Sequence, residues 1–87
     1  MKEYYGIYVS EETFEFIKAI NDYVDTNFGV LIASAEHSLY IEPIDNFIEI
    51  SCGECKGIRY PSVEKFLLNF EIEGKKMIEI IENFDFA

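Results

Sequence analysis

One amphipathic helix limits the folds open to this chain more than any other feature of the sequence. Ser10-Glu11-Glu12-Thr13 supplies an N-cap hydroxyl followed by two carboxylates in a first turn, where the helix dipole favours negative charge. The pattern predicts a helix from residue 11 to about residue 27, ended by Gly29. At 100° per residue, Phe16, Ile17, Ile20, Tyr23, Val24 and Phe28 gather on one side. Glu11, Glu15, Lys18, Asp22 and Asp25 gather on the other. The apolar side must be covered, and the rest of the chain has to supply the cover.

That cover reads as strands. Tyr4 to Val9 is aromatic and β-branched and is expected to form a first strand in the same sheet as the others. Val30 to Ala35 is a second, and Leu39-Tyr40-Ile41, closed by Pro43, a third. Phe47 to Ser51 alternates, with Ile48, Ile50 and Cys52 on one face and Phe47, Glu49 and Ser51 on the other. Ile58-Arg59-Tyr60 returns antiparallel to it, which leaves CGECKG at a hairpin tip. Ser62 then caps a helix carrying Val63, Phe66, Leu67 and Phe70, with Leu68 pointing away from them. After Gly74, Met77, Ile80, Ile81 and Phe84 form a last short helical face, and the alternative for residues 71 to 80 is a hairpin about Glu73-Gly74. The expected architecture is one α+β domain over residues 1–87. It has a small antiparallel sheet of about four or five strands, one N-terminal amphipathic helix and two short C-terminal helices.

Composition narrows the function. The 87 residues hold 17 Asp and Glu against 7 Lys and Arg, a formal charge of −10. Phosphate is bound through Lys, Arg and backbone donors, so direct binding to nucleic acid is excluded as an expectation. A basic protein groove is the complementary partner. The start of the chain shows no apolar signal-peptide core, and no apolar run reaches a membrane span. The expected location is the cytoplasm, with Cys52 and Cys55 reduced.

Catalytic motifs are wanting. Cys52-Gly53-Glu54-Cys55 has a thioredoxin-like spacing, but Gly57 and Pro61 prevent the helix that would activate its thiols. As a zinc knuckle it lacks a second ligand pair. His37 is the chain's one histidine, so Cys52, Cys55 and His37 form a weak metal alternative that still needs a fourth ligand. His37 by itself reads as a solvent-exposed turn residue. No nucleophile elbow and no Gly-rich phosphate loop is present. The expectation is a protein that is not an enzyme and carries no cofactor.

The acid stripe is the remaining lead. An ordinary solvated helix face accounts for much of it, but stability alone would favour Glu and Lys at i and i+4, whereas Glu11 and Glu15 are a like-charge pair. The reading is a small acidic, non-catalytic protein that binds and inhibits a basic nucleic-acid-handling protein. Glu11, Glu15, Asp22, Asp25, Glu49 and Glu54 would stand where phosphates should lie. In size and charge, though in no quotable motif, the chain is similar to small phage-encoded inhibitors of restriction or CRISPR nucleases. The alternative is an interaction or metal-binding module using the Cys52-x-x-Cys55 hairpin and exposed apolar residues such as Leu68.

Overall fold

The computed structural model describes residues 1–53 and 57–87, and it is a mixed α+β structure. The chain order begins with β1 (Lys2–Tyr4), β2 (Ile7–Val9) and α1 (Glu11–Asp25). Strands β3 (Val30–Ala33), β4 (Ser38–Ile44), β5 (Phe47–Cys52) and β6 (Ile58–Tyr60) follow. The C-terminal third contains α2 (Val63–Asn69), β7 (Glu71–Ile72), β8 (Lys75–Lys76), α3 (Met77–Ile80), a 3₁₀ turn (Ile81–Asn83) and β9 (Asp85–Phe86). Among the described residues no helix is long and apolar enough to cross a membrane.

Five of the strands form one antiparallel sheet in the order β6-β5-β4-β3-β9. Its register aligns Val30 with Ile41, Ile41 with Ile50 and Ile50 with Ile58 across neighbouring strands. Because side chains alternate faces, Val30, Ile32, Leu39, Ile41, Ile48 and Ile50 all project to one side, and all are buried. Helix α1 packs on β3 and β4, and α2 packs on β6. Phe66, fully buried on α2, has its ring centroid 6.0 Å from that of Tyr60 on β6 and 5.4 Å from that of Phe70 at the end of α2. Among the described residues no helix covers the opposite face of the sheet. There Leu31 pairs with Tyr40, Glu42 with Glu49, and Glu49 with Arg59.

Four expectations are corrected. Tyr4 to Val9 is not one strand of the main sheet. Tyr5 (φ 49°) and Gly6 (φ 86°) both take left-handed backbone, the conformation of a two-residue hairpin turn, and β1 and β2 form a sheet of their own. Pro43 does not close its strand. Strand β3 pairs with β4 only as far as Ile41, so beyond that point β4 has a neighbour on one side, where a missing N–H is tolerated.

The third correction concerns α1. Its burial centres on Thr13, Ile17 and Ile20, with Phe16 and Val24 partly buried, while Tyr23 and Phe28 are exposed. Asn27 (φ 67°) ends the helix, since its N–H reaches the Val24 carbonyl at 3.0 Å and that of Phe28 reaches Tyr23 at 2.9 Å. Gly29 serves another need, because a Cβ there would collide with the Tyr40 hydroxyl. The fourth correction is Leu68, which is partly buried against the core instead of pointing away. The C-terminal segment satisfies both readings of it: a hairpin turning at Glu73 (φ 53°) and Gly74 (φ 80°), followed at once by α3.

Candidate acidic groove

The start of α1 is fixed by Ser10, whose hydroxyl accepts from the Thr13 N–H at 3.1 Å and donates to Thr13 Oγ1 at 3.0 Å. This cap holds Thr13 inward, and the same turn leaves Glu12 and Glu15 in solvent. Facing that turn is the C-terminal segment, where Ile81 and Phe84 are buried anchors and Glu82 and Asp85 are exposed. Between the two lies a groove of about 550 Å³. Phe16, Ile81 and Phe84 supply its apolar surface, and Glu12, Glu15, Glu82 and Asp85 supply its charge. Among the described residues that line it there is no Lys, Arg or His.

Two further depressions adjoin it. One, of about 340 Å³, shares Ser10, Thr13 and Glu82 with the groove and adds Glu79 beside Tyr8 and Ile78. The other, of about 480 Å³, shares Asn83 and Phe84 and adds Glu36, His37, Glu73 and Lys75. Carboxylates thus ring the segment from Glu79 to Asp85, and Lys75 is the single Lys or Arg among the described lining residues. Four like charges held around one concavity favour any cation that enters it, since each unit pair at 4 Å is worth about 1 kcal/mol even in bulk water.

The acids singled out in the sequence do not form one surface. Glu11, Glu15, Asp22 and Asp25 are all exposed on α1 as expected, but only Glu15 lines the groove. Asp25 sits at the far end of the helix, beside Asp45 and Pro43 in a separate depression of about 350 Å³. Glu49 lies on the uncovered face of the sheet with its Oε1 3.2 Å from Arg59 Nε, the one salt bridge among the described residues. The pair lies over Gly57, where a Cβ would stand 2.6 Å from the Glu49 carboxyl carbon. Glu54 and Cys55 lie outside the described residues.

Glu12, Glu82 and Asp85 are not among the partner-binding residues expected from the sequence. Glu12 reads there only as a first-turn residue suited to the dipole, and nothing local signals that a 3₁₀ turn some seventy residues on, in chain terms, packs beside it.

Cys52 is disulfide-bonded, which corrects the expectation of a free thiol at the end of β5. A disulfide sulfur is no thiolate ligand, so Cys52 in this state does not join His37 in a metal site. His37 is half-buried and stands instead with Glu36 and Glu73, their potential ligand atoms all within 4.8 Å of one another. Tyr4, the buried last residue of β1, has its hydroxyl pushed up to about 12, first by burial and then by Tyr5 and Glu64. Burial likewise raises Tyr60.

No protein-family model matches the chain, and neither a curated protein nor a solved structure is similar to it.

Proposed function

We propose that this is a small acidic, non-catalytic binding protein that engages a basic, nucleic-acid-binding site on a partner protein and blocks it. One observation carries the reading: the groove between the first turns of α1 and the C-terminal segment presents Glu12, Glu15, Glu82 and Asp85 with no cation among its described lining residues. The formal charge of −10 extends the same field beyond the groove. Lys and Arg side chains that normally contact phosphates would find carboxylates there, and Phe16 and Phe84 would receive their aliphatic stems. Exposed ion pairs of this kind contribute about 0.2–1 kcal/mol each. Their larger effect is on the rate of encounter and on the choice of partner. The reading carries the cytoplasm with it, where such nucleases and nucleic-acid-handling enzymes work, although a disulfide such as that at Cys52 is uncommon there.

A second reading, a protein-interaction module, is favoured by a different observation. Leu31 and Tyr40 pair across β3 and β4 on the sheet face opposite the helices, and both are exposed.

The test is capture from cell extract on immobilised protein at about 50 mM and about 500 mM salt, a roughly threefold change in screening length. Wild type is compared with the fourfold variant Glu12→Gln, Glu15→Gln, Glu82→Gln, Asp85→Asn. The groove reading expects a partner retained by wild type at low salt, lost at high salt, lost by the variant, and displaced by added duplex DNA. A partner held equally by both forms and indifferent to DNA contradicts it and favours the sheet face.

A further inference from the structure

The turn joining β3 to β4 and the turn joining β7 to β8 are far apart in the chain and meet at one edge of the molecule. An imidazole nitrogen of His37 and a carboxylate oxygen from each of Glu36 and Glu73 lie within 4.8 Å of one another. Both turns are built independently of this meeting. In the first, Ser34 Oγ accepts from the N–H groups of Glu36 at 3.3 Å and His37 at 3.1 Å, and the Ser34 N–H reaches the His37 carbonyl at 2.8 Å. In the second, Glu73 and Gly74 form a left-handed two-residue turn, closed below by the Met77 N–H on the Phe70 carbonyl at 2.7 Å.

We propose that Glu36, His37 and Glu73 bind one divalent transition-metal ion of the Zn²⁺ or Ni²⁺ kind. Imidazole selects these ions over the hard cations Ca²⁺ and Mg²⁺, which prefer an all-oxygen shell. The two carboxylates supply the charge that offsets the ion. Metal–ligand bonds of about 2.0–2.2 Å place donors on a tetrahedral ion about 3.4 Å apart. The exposed Glu36 and Glu73 side chains therefore need close by at most about 1.4 Å around the half-buried imidazole. Three protein ligands leave the remaining position to water. Lys75 lines the same depression, and its positive charge makes binding weaker than in a closed structural zinc site. The three ligands lie in the depression that adjoins the acidic groove, none of them lines the groove itself, and the proposal does not rest on it.

The experiment is calorimetric titration of untagged, chelator-stripped protein with ZnCl₂ and with NiCl₂, with CaCl₂ as control. His37 is the chain's one histidine, so its imidazole proton resonances, followed in parallel with Zn²⁺, report the ligand directly. The expected result is one ion per chain, a shift of those resonances, and an affinity loss of about tenfold or more in each of His37→Gln, Glu36→Gln and Glu73→Gln. The double variant Cys52→Ser, Cys55→Ser and the fourfold groove variant should both bind as wild type does. The proposal is overturned by the absence of binding up to about 1 mM ion, by His37→Gln binding like wild type, by Ca²⁺ binding equally well, or by loss of binding in the cysteine variant alone.

Discussion

The groove beside α1 and the uncovered face of the sheet both carry carboxylates, yet the two regions treat them differently. On the sheet, Glu49 lies between Glu42 and Arg59 in the strand register and takes a guanidinium at 3.2 Å. Opposed like charges on neighbouring strands are destabilising, and Arg59 offsets that cost locally. In the groove, Glu12, Glu15, Glu82 and Asp85 share a concavity without a described cation beside them. Glu12 gains from the helix dipole, but no comparable local gain attaches to Glu82 or Asp85. The lesson is that net charge is a poor guide to where a fold leaves its carboxylates without a counter-charge. What distinguishes the two regions is which carboxylates the fold leaves uncompensated.

The largest expected effect tests whether both regions hang on one core. Ile20, fully buried on α1 against the sheet, joins the helix that walls the groove to the strands whose other face is open. Ile20→Ala should cost about 2–5 kcal/mol, a large share of the stability of a domain this small. Thermal or denaturant melting checks it, and a melt within a degree or two of wild type would mean that the two regions are not coupled through this helix.

Next in size is the contrast itself. The fourfold groove variant should lose about 10- to 100-fold in affinity for a captured partner, four exposed pairs at a few tenths to 1 kcal/mol each. Neutralising Glu42 and Glu49 to Gln should change it by less than about threefold, since Glu49 is already paired. Equal losses from both variants would erase the distinction between the regions.

The helix, its Ser10 cap, the Ser62 cap and the alternation of β5 were all legible in the sequence, because each depends on contacts within a few residues. Tyr23 and Phe28 show the limit of such reading. Their spacing fits the apolar face, but at Asn27 the backbone turns left-handed and carries Phe28 off the helix, and Tyr23 rests at the margin, its ring 5.7 Å from Phe86. Phe86 belongs to β9, a two-residue strand too short to leave a pattern. The groove was illegible for the same reason, since Glu12 and Asp85 become neighbours only once β9 has docked on β3. The β1–β2 hairpin had a readable signal in Tyr5-Gly6, where a glycine at the second turn position permits the left-handed pair.

An intermediate effect comes from alkaline pH. The Tyr4 hydroxyl, raised to about 12 in the folded protein, ionises at its ordinary 10.0 once unfolded. The folded state therefore keeps its proton where the unfolded state has lost it. That contribution to stability is fully present below pH 10 and is lost as pH climbs from about 10 to about 12. Melting curves across this window should show the decline, and Tyr4→Phe should flatten it. Tyr4 does not line the groove, so the decline should be the same in the groove variant and in wild type.

The smallest effect falls on the sheet. Arg59→Ala should lower stability by no more than about 1 kcal/mol, because the Arg59 side chain is 56% exposed and its pair with Glu49 is screened by solvent. A larger loss would make the uncovered face a structural ion-pair site and would undo its use as the neutral half of the comparison.

The central claim is that uncompensated carboxylates in the groove draw in a basic partner, and association kinetics test it most directly. For a partner captured by the wild-type protein, the association rate constant is measured by surface-based binding at about 50 mM and about 500 mM salt, for wild type and for the fourfold groove variant. The account predicts that the wild-type rate falls about tenfold or more as salt rises, while the variant starts slower and changes little. Equal rates for the two proteins, with the same response to salt, would contradict it.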